Sequence, residues 1–279
     1  MVKAIILDVD GVIVGEKIGY NSPNPHPDVI KALREVHPKG IPIALCTAKP
    51  HFAISQIIED AGLDNLHITD GGAVAGRKKH VIDTGIAHEV IKVLLKENVY
   101  TEFYTVDDYF IQSSQRSPIT KQHTHILQRE PKVVGSLSDE VAKHEPTKIM
   151  PIARDETDKQ RVAQLLQPFA NRLQISWGVH PVALPLQFGI VTALGISKKE
   201  GAMEISKSTN ISLDDFLGVG DSISDWQFME VCGYGAAMGN ASGELKEKVK
   251  TKGDGKFYIG PGVDENGIIE ILNFFISQQ

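Results

Sequence analysis

The stretch KAIILDVDG, residues 3–11, carries the pattern on which the fold prediction depends. A short apolar run that ends in acids and then glycine is typical of a buried strand followed by a turn. Similar apolar runs occur at 41–46 and 215–220, and apolar residues recur at helical spacing after the first two and before the third. Strands that alternate with helices in this way predict βαβ units. We therefore expect an α/β fold, a doubly wound parallel sheet with helices on both faces.

The middle of the chain has a different pattern, which begins near the glycine pair Gly71-Gly72. Its segments alternate in polarity, as the strands of an antiparallel sheet do. The elements predicted there are helices at about 86–97 and 156–170 and strands at 100–105, 109–113, 147–153 and 181–187. Helices beside several antiparallel strands predict an α+β unit. The sequence thus predicts a core of residues 1–79 and 189–279, interrupted by an inserted domain at 80–188.

Composition excludes several classes of protein. The chain has 279 residues, a formal net charge of −6 and one short basic run at 77–79, which disfavours a nucleic-acid-binding role. Its two cysteines, Cys46 and Cys232, cannot form a disulfide framework, which favours a reducing compartment. No apolar stretch approaches the roughly 20 residues of a membrane helix, and Asp8 and Asp10 interrupt any signal-peptide pattern. We expect a soluble, cytoplasmic protein without a membrane or nucleic-acid partner.

Polar residues follow three of the predicted core strands: Asp8 and Asp10, then Thr47, then Asp221. In an open parallel sheet, ligands bind at the carboxyl ends of the strands. Carboxylates packed closely need a cation or a proton between them, and hard oxygen ligands suit Mg²⁺. A carboxylate can also attack a phosphoryl group, and an acid two residues later faces the same side and can transfer a proton. Thr47 and Lys198 offer phosphate a hydroxyl and a positive charge.

These motifs, taken in order, resemble a known family. Asp8-Val9-Asp10-Gly11-Val12, Thr47, Lys198 and the segment GDSISD at 220–225 resemble the four motifs of the haloacid dehalogenase-like superfamily of phosphatases. The similarity extends along essentially the whole chain. The position of the insertion and the tail AMGNA at 237–241 resemble the Cof-like hydrolases, which have a Rossmann-like core and a large α/β insertion cap.

The resemblance implies a role for each matching residue. It makes Asp8 the nucleophile and Asp10 the general acid and base, with the backbone carbonyl of Asp10 on the metal. Asp225 either supports the metal or orients Lys198. The implied sets are Asp8, Asp10 and Lys198 for catalysis; Thr47, Ala48 and Lys198 for the phosphoryl group; and Asp8, Asp10, Asp221 and Asp225 for Mg²⁺.

Some positions leave alternatives open or depart from the family pattern. Lys199 competes with Lys198, but adjacent helix positions point about 100° apart, so only one faces the site, and we favour Lys198. Lys49 stands where arginine is common in the family, which keeps the charge but loses the bidentate fork. Ser224 replaces a frequent asparagine, and Val12 replaces a frequent threonine.

The predicted function is hydrolysis of small phosphomonoesters, sugar phosphates above all, by a Mg²⁺-dependent phosphatase that forms an aspartyl phosphate. The alternatives are a phosphotransferase or phosphomutase using the same intermediate, and a catalytically silent binding or regulatory protein on the same fold. The sequence leaves the oligomeric state open.

Residues outside the motifs give weaker signals. His123 and His125 alternate in what we interpret as a strand, where two histidines are more often a surface pair than a metal site. Arg116, Lys121, Trp177 and His180 are weak candidates for the substrate pocket, and we interpret Trp177 and His180 as strand residues.

Overall fold

The computed structural model describes residues 1–64 and 66–276. Within those ranges the chain forms fourteen strands and ten α-helices, joined by loops and short 3₁₀ turns. The strands are β1 Ala4–Leu7, β2 Ile43–Leu45, β3 Ile68–Thr69, β4 Val74–Ala75, β5 Lys78–Lys79, β6 Tyr100–Tyr104, β7 Tyr109–Gln112, β8 Lys132–Val134, β9 Lys148–Ala153, β10 Leu173–Val179, β11 Gln187–Ala193, β12 Phe216–Gly220, β13 Tyr234–Ala237 and β14 Phe257–Ile259. The helices are α1 Pro27–Val36, α2 Ser55–Ala61, α3 Thr84–Lys96, α4 Pro118–Leu127, α5 Leu137–Val141, α6 Glu156–Leu166, α7 Lys198–Thr209, α8 Trp226–Met229, α9 Gly243–Lys250 and α10 Ile268–Ile276.

Five strands form a fully parallel sheet in the order β14-β13-β12-β1-β2. Strand β1 lies between β2, the next core strand along the chain, and β12, which comes more than 200 residues later. The strand order therefore reverses direction between β1 and β12, and such a switch point opens a crevice at the carboxyl ends of the strands.

Both faces of this sheet are buried, as a doubly wound fold requires. Side chains alternate along a strand, so Ile5 and Leu7 of β1 face one side, where they pack with apolar residues of α1 and α10. Ala4 and Ile6 face the other side, where α7 and α9 cover them. The doubly wound parallel sheet predicted from the sequence is confirmed.

A second sheet has six strands in the order β10-β11-β9-β6-β7-β8, and only the β7–β8 pair is parallel. Helices α3, α5 and α6 pack on one of its faces around Val90, Phe103 and Val162. We call the segment from α3 to β11 the inserted domain and the remainder the core. A small antiparallel sheet, β3-β4-β5, precedes it.

One predicted strand of the inserted domain is wrong, and one predicted boundary falls inside a strand. A strand predicted at 181–187 is absent: the chain forms β10 before this segment and β11 after it, and Pro185, which has no N–H for a strand ladder, lies between them. The predicted boundary at 188 falls inside β11, because this strand pairs with β10 along its whole length from Gln187 to Ala193.

His123 and His125 lie on helix α4, not on a strand. The helix begins with Ser117 at its N-cap and Pro118 as its first residue, a pairing typical of a helix start. Among the described residues, no helix is both long and apolar enough to cross a membrane.

Candidate active site

The carboxyl ends of three adjacent core strands, β12, β1 and β2, bring the predicted residues together. Asp8 directly follows β1 and Asp221 directly follows β12, so both lie at the switch point of the sheet. Asp8 continues the ladder, since its N–H donates to the carbonyl of Val219 at 3.0 Å. Thr47 follows β2 and Cys46 on the other side of β1.

Lys198 is the first residue of helix α7, where the N-cap Ser197 fixes its direction. Its buried ammonium donates to Asp8 Oδ1 at 2.6 Å and to Asp225 Oδ1 at 2.7 Å. Lys199 points elsewhere and pairs with Glu230 at 2.7 Å on the surface. Of the two competing lysines, Lys198 is therefore the one that faces Asp8.

Asp225 is completely buried and holds two parts of the site at once. While its Oδ1 accepts from Lys198, its Oδ2 accepts from the N–H groups of Asp221 at 3.1 Å and Ser222 at 3.0 Å. A Cβ on Gly220 would lie 2.5 Å from that of Asp225, so glycine is needed for this approach. The contacts make Asp225 a support for both Lys198 and the turn after β12.

Burial and crowding of like charges dominate the electrostatics of this cluster. Burial, assisted by the charges of Asp225 and Asp221, raises the pKa of Asp8 well above its usual range, although Lys198 opposes the shift. Burial and Asp225 likewise raise the pKa of Asp221 to about 7. For Lys198, burial lowers the pKa, but Asp225 and Asp8 outweigh it and raise the pKa well above 10.5. One lysine does not neutralise three carboxylates, so the cluster favours a further cation.

The donor set fits a hard divalent cation. Asp8, Asp221 and Asp225 each offer a carboxylate oxygen, and these oxygens lie within 4.8 Å of one another. Gly11, with φ +82°, lies against this group: a Cβ there would come within 2.0 Å of Asp221 Oδ2. Oxygen ligands of this kind suit Mg²⁺, which keeps room for water and phosphate.

Asp10 has different neighbours, and its carboxylate lies outside that group of three. Its Oδ1 accepts from Lys49 Nζ at 2.6 Å and lies 3.2 Å from His180 Nε2. Burial raises the pKa of Asp10, but Lys49 and His180 outweigh burial and lower the pKa below its usual value. His180 belongs to the inserted domain, so the two domains meet at this carboxylate.

The loop after β2 is also fastened to the inserted domain. The hydroxyl of the buried Thr47 accepts from the N–H of Lys49 at 3.1 Å. The carbonyl of Ala48 accepts from Lys148 Nζ of β9 at 2.6 Å, and the same ammonium pairs with Asp70 at 2.9 Å. Lys148 and Asp70 are both fully buried. The inserted domain thereby holds the predicted phosphate-binding loop in place.

A cavity of about 310 Å³ lies between the two domains. Arg116 and Lys121 are not among the described residues that line it, whereas Trp177 and His180 are. Trp177 lies in β10 as predicted, but the interpretation of His180 as a strand residue is wrong, because β10 ends at Val179. The core contributes Asp8, Asp10, Thr47, Ala48, Lys49, Lys198, Asp221 and Asp225, and the side chains of the inserted domain include Tyr104, His123, Lys148, Met150, Trp177, His180 and Phe188.

Sequence reasoning missed Lys148 and, although it named His180 as a pocket candidate, it did not predict the contact of His180 with Asp10. No local pattern marks either residue, since the contacts depend on how the inserted domain sits on the core. The sequence indicates a positive charge at Lys49, but it does not indicate that this charge pairs with Asp10.

Comparisons with known proteins agree with this architecture. A family model described as haloacid dehalogenase-like hydrolase matches residues 5–272. Phosphatase YwpJ of Bacillus subtilis (strain 168) is 24% identical over 270 residues, covering 88% of this chain and 92% of YwpJ. The sugar phosphatase BT4131, of subclass IIB, superposes with a TM-score of 0.76 at 24% identity, covering 98% of each chain. A HAD/COF-like hydrolase from Plasmodium vivax superposes with a TM-score of 0.81 at 20% identity, covering 100% of this chain and 96% of that one.

Proposed function

Because the chain belongs to the haloacid dehalogenase-like hydrolases, we propose that it is a Mg²⁺-dependent phosphatase of small phosphomonoesters, with Asp8 as its nucleophile. The observation that carries this proposal is the buried pairing of Asp8 with Lys198, 2.6 Å apart, beside Asp221 at the switch point of the sheet. Sugar phosphates are the favoured substrates, since YwpJ is a phosphatase and BT4131 a sugar phosphatase.

In the first step a carboxylate oxygen of Asp8 attacks phosphorus, and the bond from phosphorus to the ester oxygen breaks. The departing alcohol takes a proton from Asp10, which lies two residues along the same backbone. Lys198 and the loop at Thr47 and Ala48 face the charge that spreads over the phosphoryl oxygens. The product of this step is an aspartyl phosphate on Asp8.

In the second step water attacks phosphorus, and Asp10, now a carboxylate, takes the proton of that water. The bond between phosphorus and the Asp8 oxygen breaks, which regenerates the carboxylate and releases inorganic phosphate. The contacts of Asp10 with Lys49 and His180 lower its pKa, which favours the base form that this step requires. The same shift makes the protonated Asp10 of the first step a stronger acid.

Asp8, Asp221 and Asp225 would hold the metal, together with the backbone carbonyl of Asp10. Bound Mg²⁺ would supply positive charge that offsets the repulsion between these carboxylates and a phosphate dianion. Since Asp225 already accepts from Lys198 and from two N–H groups, we expect it to contribute mainly by orienting Lys198.

We infer that the inserted domain is the cap over this site and that it opens to exchange substrate and product. Its residues His180 and Lys148 contact Asp10 and Ala48, so its closure would complete the surroundings of both. Closure would also exclude bulk water while the phosphoryl group moves to Asp8.

The test is release of inorganic phosphate from p-nitrophenyl phosphate and a panel of sugar phosphates, with Mg²⁺ or with EDTA. Asp8→Asn should abolish turnover, and the matched control Asp215→Asn, which changes a surface partner of Lys3, should leave it unchanged. A wild-type protein that is inert on the whole panel with Mg²⁺ would contradict the proposal. Phosphate release without an added alcohol acceptor would argue against a phosphotransferase.

A further inference from the structure

The cavity lining contributed by the inserted domain includes an imidazole ring set among largely apolar side chains. His123 projects from helix α4 into the cavity lining, beside Tyr104, Ile126, Met150 and Phe188. Its ring lies 5.4 Å from that of Phe188, centroid to centroid. His123 is only 4% exposed, so its position is set by packing.

The fully buried carboxylate of Glu102 is hydrogen-bonded to the His123 ring and orients it. Glu102 of β6 is 0% exposed, and both of its oxygens lie within hydrogen-bond range of His123 Nδ1, at 2.8 and 3.0 Å. The hydroxyl of Tyr104 donates to the same carboxylate. A carboxylate buried in an inserted domain is costly unless it is paired, so this arrangement points to a use for the oriented ring.

The pairing leaves a defined ring atom for a ligand. The contacts of the ring with Glu102 are made through Nδ1, so with Nδ1–H donated to Glu102 the second nitrogen, Nε2, is the one available to a ligand. Nε2 accepts a hydrogen bond when the ring is neutral and donates one when it is protonated. A hydroxyl group satisfies either state, whereas the surrounding apolar walls suit the carbon face of a ring.

We propose that His123, held by Glu102, recognises a hydroxyl group on the leaving group of the substrate, remote from the phosphate. The substrate class is then a phosphomonoester of a hydroxylated ring, whose carbon skeleton packs against Met150 and Phe188. This inference rests on the proposed phosphatase function and adds the specificity-determining residue.

The experiment compares kcat/KM for glucose 6-phosphate, for its deoxy analogues that each lack one ring hydroxyl, and for p-nitrophenyl phosphate, which has none. The wild type should discriminate against at least one deoxy analogue by about 5- to 100-fold, the range of one buried hydrogen bond. His123→Leu should bring that ratio close to one, and its kcat/KM should fall further for glucose 6-phosphate than for p-nitrophenyl phosphate. His125→Leu is the matched control, because His125 is exposed on the same helix and should keep the wild-type ratio.

A second variant, Glu102→Gln, keeps the shape of the buried pair but weakens the hold on the ring, so it should lower the same ratio. If circular dichroism shows that His123→Leu does not fold, the Glu102→Gln variant is used for the test instead. Equal turnover of every deoxy analogue by the wild type would overturn the inference, as would an unchanged ratio in the variants. Hydrolysis of p-nitrophenyl phosphate without hydrolysis of hexose phosphates would also overturn it while leaving the phosphatase function intact. A protein inert on all of these esters would instead refute the proposed function.

Discussion

Replacing Lys198 by methionine removes the ammonium that contacts Asp8 and Asp225 and keeps most of the side-chain volume. The ammonium contacts these carboxylates at 2.6 and 2.7 Å in a buried setting. Breaking a buried ion pair by removing one partner costs about 3–5 kcal/mol, because the other charge stays buried and unpaired. We expect Lys198→Met to lower the free energy of unfolding by that amount near pH 8.

The cost should depend on pH in a defined direction. The pKa of Asp8 is already raised by burial and by its acidic neighbours, and loss of Lys198 raises it further. Near pH 5 the Asp8 carboxyl would therefore take up a proton and relieve the repulsion, so the variant should lose less stability there than near pH 8. Turnover should fall at both pH values by about 10²–10³-fold, the usual effect of losing one preorganised donor.

The assay is urea unfolding followed by circular dichroism at pH 5 and pH 8, in EDTA, with phosphate release measured separately in Mg²⁺. Lys199→Met is the matched control, because its pair with Glu230 is 40% and 39% exposed and should contribute no more than about 1 kcal/mol. Equal losses in the two variants, or a loss in Lys198→Met that does not change with pH, would refute the electrostatic reasoning.

Three further predictions concern the metal group and the contact between the domains. Gly11→Ala should destabilise the protein by about 1–3 kcal/mol more than Gly19→Ala and should weaken Mg²⁺ binding. Both glycines have positive φ, but of the two only Gly11 lies against a carboxylate. Equal decreases in melting temperature for the two variants would contradict this prediction. Asp221, whose pKa is raised to about 7 chiefly by burial, must lose its proton to bind a cation, so the affinity for Mg²⁺ should rise up to about tenfold per pH unit below 7 and level off above it. Calorimetric titrations at pH 5.5 and 8 test that slope, and equal affinities would refute it. Lys148→Met should lower the free energy of unfolding in urea by about 3–5 kcal/mol, because it leaves the buried Asp70 carboxylate without its cation. The double variant with Asp70→Asn should recover part of this loss. Strictly additive losses in the double variant would contradict the prediction.

The core could be predicted from sequence because its signals are local and strong. The apolar run before Asp8 is buried on both faces, so it is a continuous run and not an alternating one. Once parallel strands are inferred, their carboxyl ends must meet at one edge, which places Asp8, Thr47 and Asp221 together without further information.

The inserted domain was harder to predict because its signals compete. His123 and His125 suggested a strand by their alternation, yet Ser117-Pro118 gives a helix start that the sequence already contained. The contacts of His180 with Asp10 and of Lys148 with Ala48 join segments that are 170 and 100 residues apart. Contacts of this kind depend on tertiary packing, so no local sequence pattern predicts them.

The position of β1 between β2 and β12 has a consequence for the order in which the chain matures during synthesis. The partner β2 emerges from the ribosome early, but Ala4 pairs with Phe216 and Asp8 meets Lys198 only after most of the chain has been made. Every strand of the inserted domain is complete before β12 appears, and long-range parallel pairing is intrinsically slow. We therefore expect the inserted domain to gain structure first, and a nascent chain stalled before residue 198 to lack the ion pair between Asp8 and Lys198.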